Sequence, residues 1–153
     1  MWEDLVNNRI FITAILAWFL GQLLKVPIEY LTKRRWNWAL WFSSGGMPSS
    51  HSSLMVATTL SIGLYDGFDS PLFALAFAVS MIVVYDAAGV RRQAGYHAQK
   101  INLLFEELFS GHPISQERLK EVLGHTPRQV LGGIVLGTLI ALIVYGLFPP
   151  VNP

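Results

Sequence analysis

The run Val130–Phe148, VLGGIVLGTLIALIVYGLF, decides the fold class. Its 19 residues carry no charge, and a helix needs about 20 apolar residues to cross a bilayer. Pro149 and Pro150 then stop it. Working outward, Ile10–Leu24 has Gln22 as its only strongly polar side chain, and Pro71–Tyr85 is uncharged. Leu54–Tyr65 is also uncharged, and a Ser- and His-bearing stretch leads into it. These three are shorter than a standard span, and apolar runs of 10–14 residues more often form buried core helices. Each is expected to lengthen through a polar end packed against protein. The expected fold is all-α: one domain over residues 1–153, an integral membrane helical bundle of about four spans with amphipathic cytoplasmic helices.

Composition points the same way. Only 14% of the 153 residues are charged and 52% are hydrophobic, with a mean hydropathy of +0.43. So few charges cannot cover a small soluble domain, and a disordered chain is excluded. The absence of cysteine excludes disulfide scaffolds, zinc–thiolate sites, iron–sulfur clusters and cysteine nucleophiles. A net charge of +1 argues against general nucleic-acid binding.

Charge placement sets the topology. With four spans and the N-terminus outside, the inside segments hold Lys25, Lys33, Arg34, Arg35, Arg91, Arg92, Lys100, Arg118, Lys120 and Arg128. Only Arg9 of the 11 basic residues is outside, together with Glu3, Asp4, Asp66 and Asp69. The positive-inside rule makes the basic side cytoplasmic, and the cell (inner) membrane is the expected location. MWEDLVNNR carries acids where a signal peptide needs cations, so the first helix is expected to stay.

Helix boundaries are legible too. Ser70-Pro71 and Thr126-Pro127 each place a capping hydroxyl before a proline in the first helical position, and Met47-Pro48-Ser49 does so less fully. Ile101, Leu104, Phe105 and Leu108 form one stripe, which predicts an amphipathic helix on the membrane surface or under the bundle. A short helix from Ser115 to a stop at Gly124 is expected next. Gly133 and Gly137 form a small-xxx-small pair, for packing within the monomer or for a homodimer. WNWALWF (Trp36–Phe42) reads as an interface belt or a re-entrant segment.

The polar residues of the spans gather at their cytoplasmic ends. Lys25, Lys33, Arg34 and Arg35 end the first, SSGGMPSSHSS (Ser43–Ser53) opens the second, Asp86, Arg91 and Arg92 end the third, and GHTPR (Gly124–Arg128) opens the fourth. Helix N-termini attract anions, and glycine-led loops let backbone N–H groups approach a phosphate. Arginine adds bidentate contacts. His51 and His125 supply a nucleophile and a general acid. The residues describe a phosphate site at the membrane surface with no evident metal ligands; Asp86 and Glu121 are too few and too far apart for a magnesium cage.

GGMPSSHS, YDAAGVRR and GHTP, in that order, resemble the divergent branch of the type-2 phosphatidic acid phosphatase and vanadium haloperoxidase superfamily. The resemblance runs from about Lys25 to Gly133. It implies a helical bundle and metal-free hydrolysis of a phosphate ester, with no cofactor. It makes His125 the nucleophile that forms a phosphohistidine, and His51 the acid that protonates the leaving group. Lys25 and Arg34 (or Arg35) would hold the phosphate, with Ser49 and Ser50 on the second motif. The pattern departs from the superfamily in several ways: the first spacing is Lys-x8-Arg or Lys-x9-Arg instead of x6, and no Pro follows the Arg. Ser50 replaces a glycine, Leu119 stands where an arginine is usual, and Gln129 stands where an aspartate orients the nucleophile. Arg91 or Arg92 would replace the arginine, and Asp86 or Glu121 the aspartate.

The function expected is a membrane lipid phosphatase acting on a lipid or isoprenoid phosphate monoester or diphosphate. Phosphatidate, phosphatidylglycerophosphate and polyprenyl phosphates all fit an interfacial phosphate site. A non-catalytic lipid-phosphate-binding membrane protein is the alternative, and a small transporter is weaker because no charge lies at mid-membrane in this topology.

Overall fold

A computed structural model describes residues 2–43, 45–108 and 124–150. Among these, every regular element is helical. They are α1 (Trp2–Asn7), α2 (Arg9–Leu23), α3 (Lys25–Lys33), a 3-10 turn (Trp38–Phe42), α4 (Ser50–Asp66), α5 (Pro71–Ala88), α6 (Val90–Leu108) and α7 (Pro127–Leu147). The short helix expected after Ser115, and Glu121 with it, lie outside the described residues.

The capping signals act as read. Ser70 Oγ accepts the Phe73 N–H at 3.1 Å and Thr126 Oγ1 accepts the Gln129 N–H at 3.4 Å, each ahead of a proline at the helix start. Ser49 caps α4, one residue beyond Pro48.

Among the described residues, three helical stretches are long and apolar enough to cross a membrane: Arg9–Lys33, Pro71–Glu106 and Pro127–Leu147. The fourth expected span, α4, has 17 residues and does not qualify on its own. It is nonetheless the centre of the bundle, packed on α2, α5 and α7. Its buried face is small or hydroxylated, with Ser50, Ser52, Ser53, Ala57, Thr59 and Ser61 among the buried residues. The large apolar side chains of the neighbouring helices form the outer surface: Leu75 and Ile82 of α5 and Leu131, Leu139 and Ile143 of α7 are all exposed. Such a surface fits hydrocarbon, where helices associate through small residues and interhelical hydrogen bonds.

The hydrogen bonds show how α4 is held. Ser53 Oγ donates to the Ala17 carbonyl of α2 at 3.0 Å. The Thr59 and Ser80 hydroxyls meet at 2.6 Å, and Ser80 also donates to the Met55 carbonyl at 3.1 Å. Tyr65 donates to the Phe148 carbonyl at 2.8 Å, tying the far ends of α4 and α7. Gly133 and Gly137 lie against the α4 backbone; a Cβ on Gly137 would stand 2.5 Å from the Ser53 carbonyl oxygen. Of the two roles open to this pair, packing within the monomer is the one the fold uses.

The first span bends where Pro27 has no N–H for the Leu23 carbonyl. That carbonyl accepts the Trp41 indole N–H instead, at 3.3 Å, and Gln22 Nε2 donates back to the Trp41 carbonyl at 2.9 Å. The aromatic run is therefore docked on the bend. Its outer rings stack, Tyr30 on Trp36 and Trp36 on Trp38, with centroids 4.4 and 5.3 Å apart. The apolar stripe of α6 is exposed, and among the described residues α6 packs only on α5. It is not tucked under the bundle.

Replacing Gly133 or Gly137 by Ala should cost roughly 1–3 kcal/mol, because the neighbouring atoms are backbone and cannot turn aside. Gly146 has nothing within 4 Å of a built Cβ, so Gly146→Ala should be neutral or add up to about 1 kcal/mol. Thermal unfolding in detergent checks this, and equal melting of all three variants would contradict the packing.

Candidate functional site

The bundle puts the starts of α4 and α7, the last turn of α5 and the bend after α2 at one end. Arg9 and Phe148 mark the other end, where the guanidinium sits 4.4 Å over the ring.

α4 starts at Ser50 because Ser49 caps it. Ser49 Oγ accepts the Ser52 N–H at 3.3 Å and the Ser52 hydroxyl at 3.0 Å. The Ser49 N–H donates to the Gln129 carbonyl at 2.9 Å. The starts of α4 and α7 are therefore bonded to each other. Ser49 and Ser50 are buried, and Ser50 packs against Gly21. His51 follows at the second position of α4.

His125 sits just before the cap of α7 and is buried. Its N–H donates to the Ala87 carbonyl at 3.0 Å, which anchors it on the last turn of α5 beside Asp86. The rings of His51 and His125 face each other edge to face with centroids 6.1 Å apart. Two histidines 74 positions apart in sequence thus share one small volume at two helix N-termini.

Gln129 entered the sequence reading only as a departure, standing where an aspartate is usual, and not as a partner of His125. Thr126 and Gln129 form a reciprocal capping box, in which the Gln129 side-chain oxygen accepts the Thr126 N–H at 2.9 Å. The same oxygen lies 3.4 Å from His125 Nδ1. The signal was present as Thr126-x-x-Gln129, a capping-box pattern.

Lys25 is fully buried. Its ammonium donates to the Ser43 carbonyl at 2.7 Å, so it points into the loop that precedes α4. Gly46 lies along its stem with φ +91, a backbone conformation that suits glycine. Two of the other cations expected at this site, Arg34 and Arg92, have described contacts only within their own helices. Arg34 is the exposed C-cap of α3 in left-handed conformation. Arg92 lies 5.6 Å over the Tyr96 ring and donates to its hydroxyl at 3.2 Å. The Arg91 side chain is outside what is described. The structure gathers Lys25, Ser49, Ser50, His51 and His125, keeps Asp86 on the turn that holds His125, and leaves Arg34 and Arg92 in local contacts. Among the described residues no three His, Asp or Glu side chains group as a metal ion would need.

Comparison with known proteins follows this geometry. A family model described as the divergent PAP2 family matches residues 6–140. The uncharacterized membrane protein YuiD of Bacillus subtilis is 35% identical over 156 residues, covering 95% of this chain and 99% of that protein. No solved structure matches.

Ser49→Ala removes a cap and leaves the buried Ser52 hydroxyl without its acceptor, so it should destabilise the protein by about 1–2 kcal/mol. Unfolding of the variant beside wild type in the same detergent measures the difference.

Proposed function

The chain belongs to the divergent PAP2 family, and from that premise we propose that it is a membrane lipid phosphatase. Its substrate would be a phosphate monoester or diphosphate of a lipid or isoprenoid, hydrolysed through a phosphohistidine. The observation that carries this reading is the His51–His125 pair, 6.1 Å apart at two helix starts. One phosphoryl group can touch both rings.

In the proposed reaction the His125 Nε2 lone pair attacks phosphorus and the P–O bond to the lipid breaks. Protonated His51 gives its proton to the departing oxygen. Water then attacks phosphorus, neutral His51 takes the water proton, and the P–N bond breaks to release inorganic phosphate. Two steps replace one difficult displacement. The N-termini of α4 and α7 favour the anionic oxygens. Lys25 adds charge from the bend after α2, and displacement of the Ser43 carbonyl would bring its ammonium to the phosphate. Arg34, Arg91 and Arg92 belong to the basic segments at this end in the expected topology and would steer an anionic head toward it. Asp86, on the turn that holds His125, would favour the positive charge that develops on the ring during attack.

Membrane lipids are the medium and the source of substrate in this reading. The clustering of Lys and Arg supports a site on the cytoplasmic side of the cell membrane. A second reading, a lipid-phosphate-binding membrane protein without turnover, is favoured by Gln129 in the place of the superfamily's aspartate.

Phosphate release from a panel of lipid phosphates by purified protein in EDTA tests the proposal. His125→Ala should reduce release to background. His51→Ala should slow release from lipid phosphates by about 10²–10⁴-fold. It should matter far less with 4-nitrophenyl phosphate, whose leaving group departs without a proton. A folded protein that releases phosphate from no lipid would favour the binding reading, and release that EDTA abolishes would contradict the chemistry.

A further inference from the structure

Gln129 makes three contacts that bear on the two histidines. Its carbonyl accepts the Ser49 N–H, two residues before His51. Its side-chain oxygen accepts the Thr126 N–H at 2.9 Å, and that oxygen lies 3.4 Å from His125 Nδ1.

An amide beside a histidine is ordinarily ambiguous. Turned one way it accepts a proton from the ring; turned the other way its NH2 donates to the ring and drives the proton to the far nitrogen. The capping box removes that ambiguity. The Thr126 N–H can only donate, so it selects the amide oxygen. The oxygen that faces Thr126 also faces Nδ1, and it can bond that nitrogen only when Nδ1 carries the proton. The neutral ring then has its lone pair on Nε2.

We propose that Gln129 is the positioning residue of this site: it holds His125 in the tautomer whose Nε2 carries the lone pair, and ties the His125 segment to the start of the His51 helix. This rests on the phosphatase reading for its consequence and on geometry for its substance. A neutral amide takes over the orienting task that an aspartate performs elsewhere in the superfamily, without adding negative charge. The helix cap, usually a device of stability, here also fixes a ring.

The absent charge makes the idea testable. Glutamate serves a capping box as well as glutamine, so Gln129→Glu should keep the helix start and add a carboxylate beside Nδ1. A neighbouring negative charge favours imidazolium, so His125 should titrate about one unit or more higher. Among the described residues, the other ionisable groups at this end of the surrounding elements include His51 on α4, Tyr85 and Asp86 on α5, Lys25 after α2 and the exposed Arg128 on α7. They are common to both proteins, so the difference reports position 129. Gln129→Leu removes both acceptor and cap, and should lower kcat by roughly 10²-fold through misplacement of the ring, with KM little changed.

The first experiment is nitrogen NMR of histidine-labelled protein in detergent, with His125 assigned from the signals lost in His125→Asn. The expected wild-type spectrum has the proton on Nδ1 and a bare Nε2. Gln129→Glu should keep that pattern with a raised titration midpoint, and the acidic limb of kcat/KM should move upward with it. A wild-type ring protonated on Nε2, or a Gln129→Glu protein whose His125 titrates unchanged, would overturn the positioning role even if phosphate release is normal. The expected tautomer and shift in a protein that hydrolyses no lipid would support the positioning role and sink the phosphatase reading.

Discussion

Everything in this structure depends on how closely the hydroxyl face of α4 approaches the backbones around it. Helices in hydrocarbon gain little from hiding apolar surface from one another, so contact distance and hydrogen bonding must hold them. Gly133 and Gly137 give α4 the room to lie on α7. Ser53 then reaches the Ala17 carbonyl, and Thr59 and Ser80 join α4 to α5. Each such bond contributes little, on the order of 1 kcal/mol. Together they make a helix that would be a poor membrane span alone into the axis of the bundle.

The site is a consequence of that packing. Once α4 lies flat on α7, their first turns are side by side, and the Ser49 N–H meets the Gln129 carbonyl. His51 and His125, each one or two positions from a helix cap, then have little choice but to face each other. The His125 segment is held from a second direction by the Ala87 carbonyl. Lys25 arrives by a separate route. Pro27 frees the Leu23 carbonyl, Trp41 takes it, and the aromatic turn brings the Ser43 carbonyl to the Lys25 ammonium. A proline, a tryptophan and a buried lysine thus act as one unit at the edge of the site.

Much of the fold was legible in the residues. The uncharged runs, the two hydroxyl–proline helix starts and the apolar stripe of α6 are local patterns, and local patterns survive into the fold. α4 was the least legible element. Its serines and threonines weaken it as a span, and only neighbours that supply acceptors explain them. The site was legible in part, for a similar reason. His51 and His125 stood out because polar groups at a span end are costly unless used. Gln129 stood out only as a departure from the superfamily's aspartate, since nothing in the chain shows that His125 Nδ1 meets its side-chain oxygen. Arg34 and Arg92 stood out as cations near the site, yet the contacts described for them lie within their own helices.

The sequence by itself determined that this protein is a helical membrane protein and where several of its helices begin. Those properties follow from residue type and spacing within single segments. The tertiary structure alone decided which helix is central, which glycines touch backbone, and that His51, His125 and Gln129 meet. Those are contacts between segments brought together by backbone approach and main-chain hydrogen bonds, and a backbone group carries no mark in the sequence of the partner it will find.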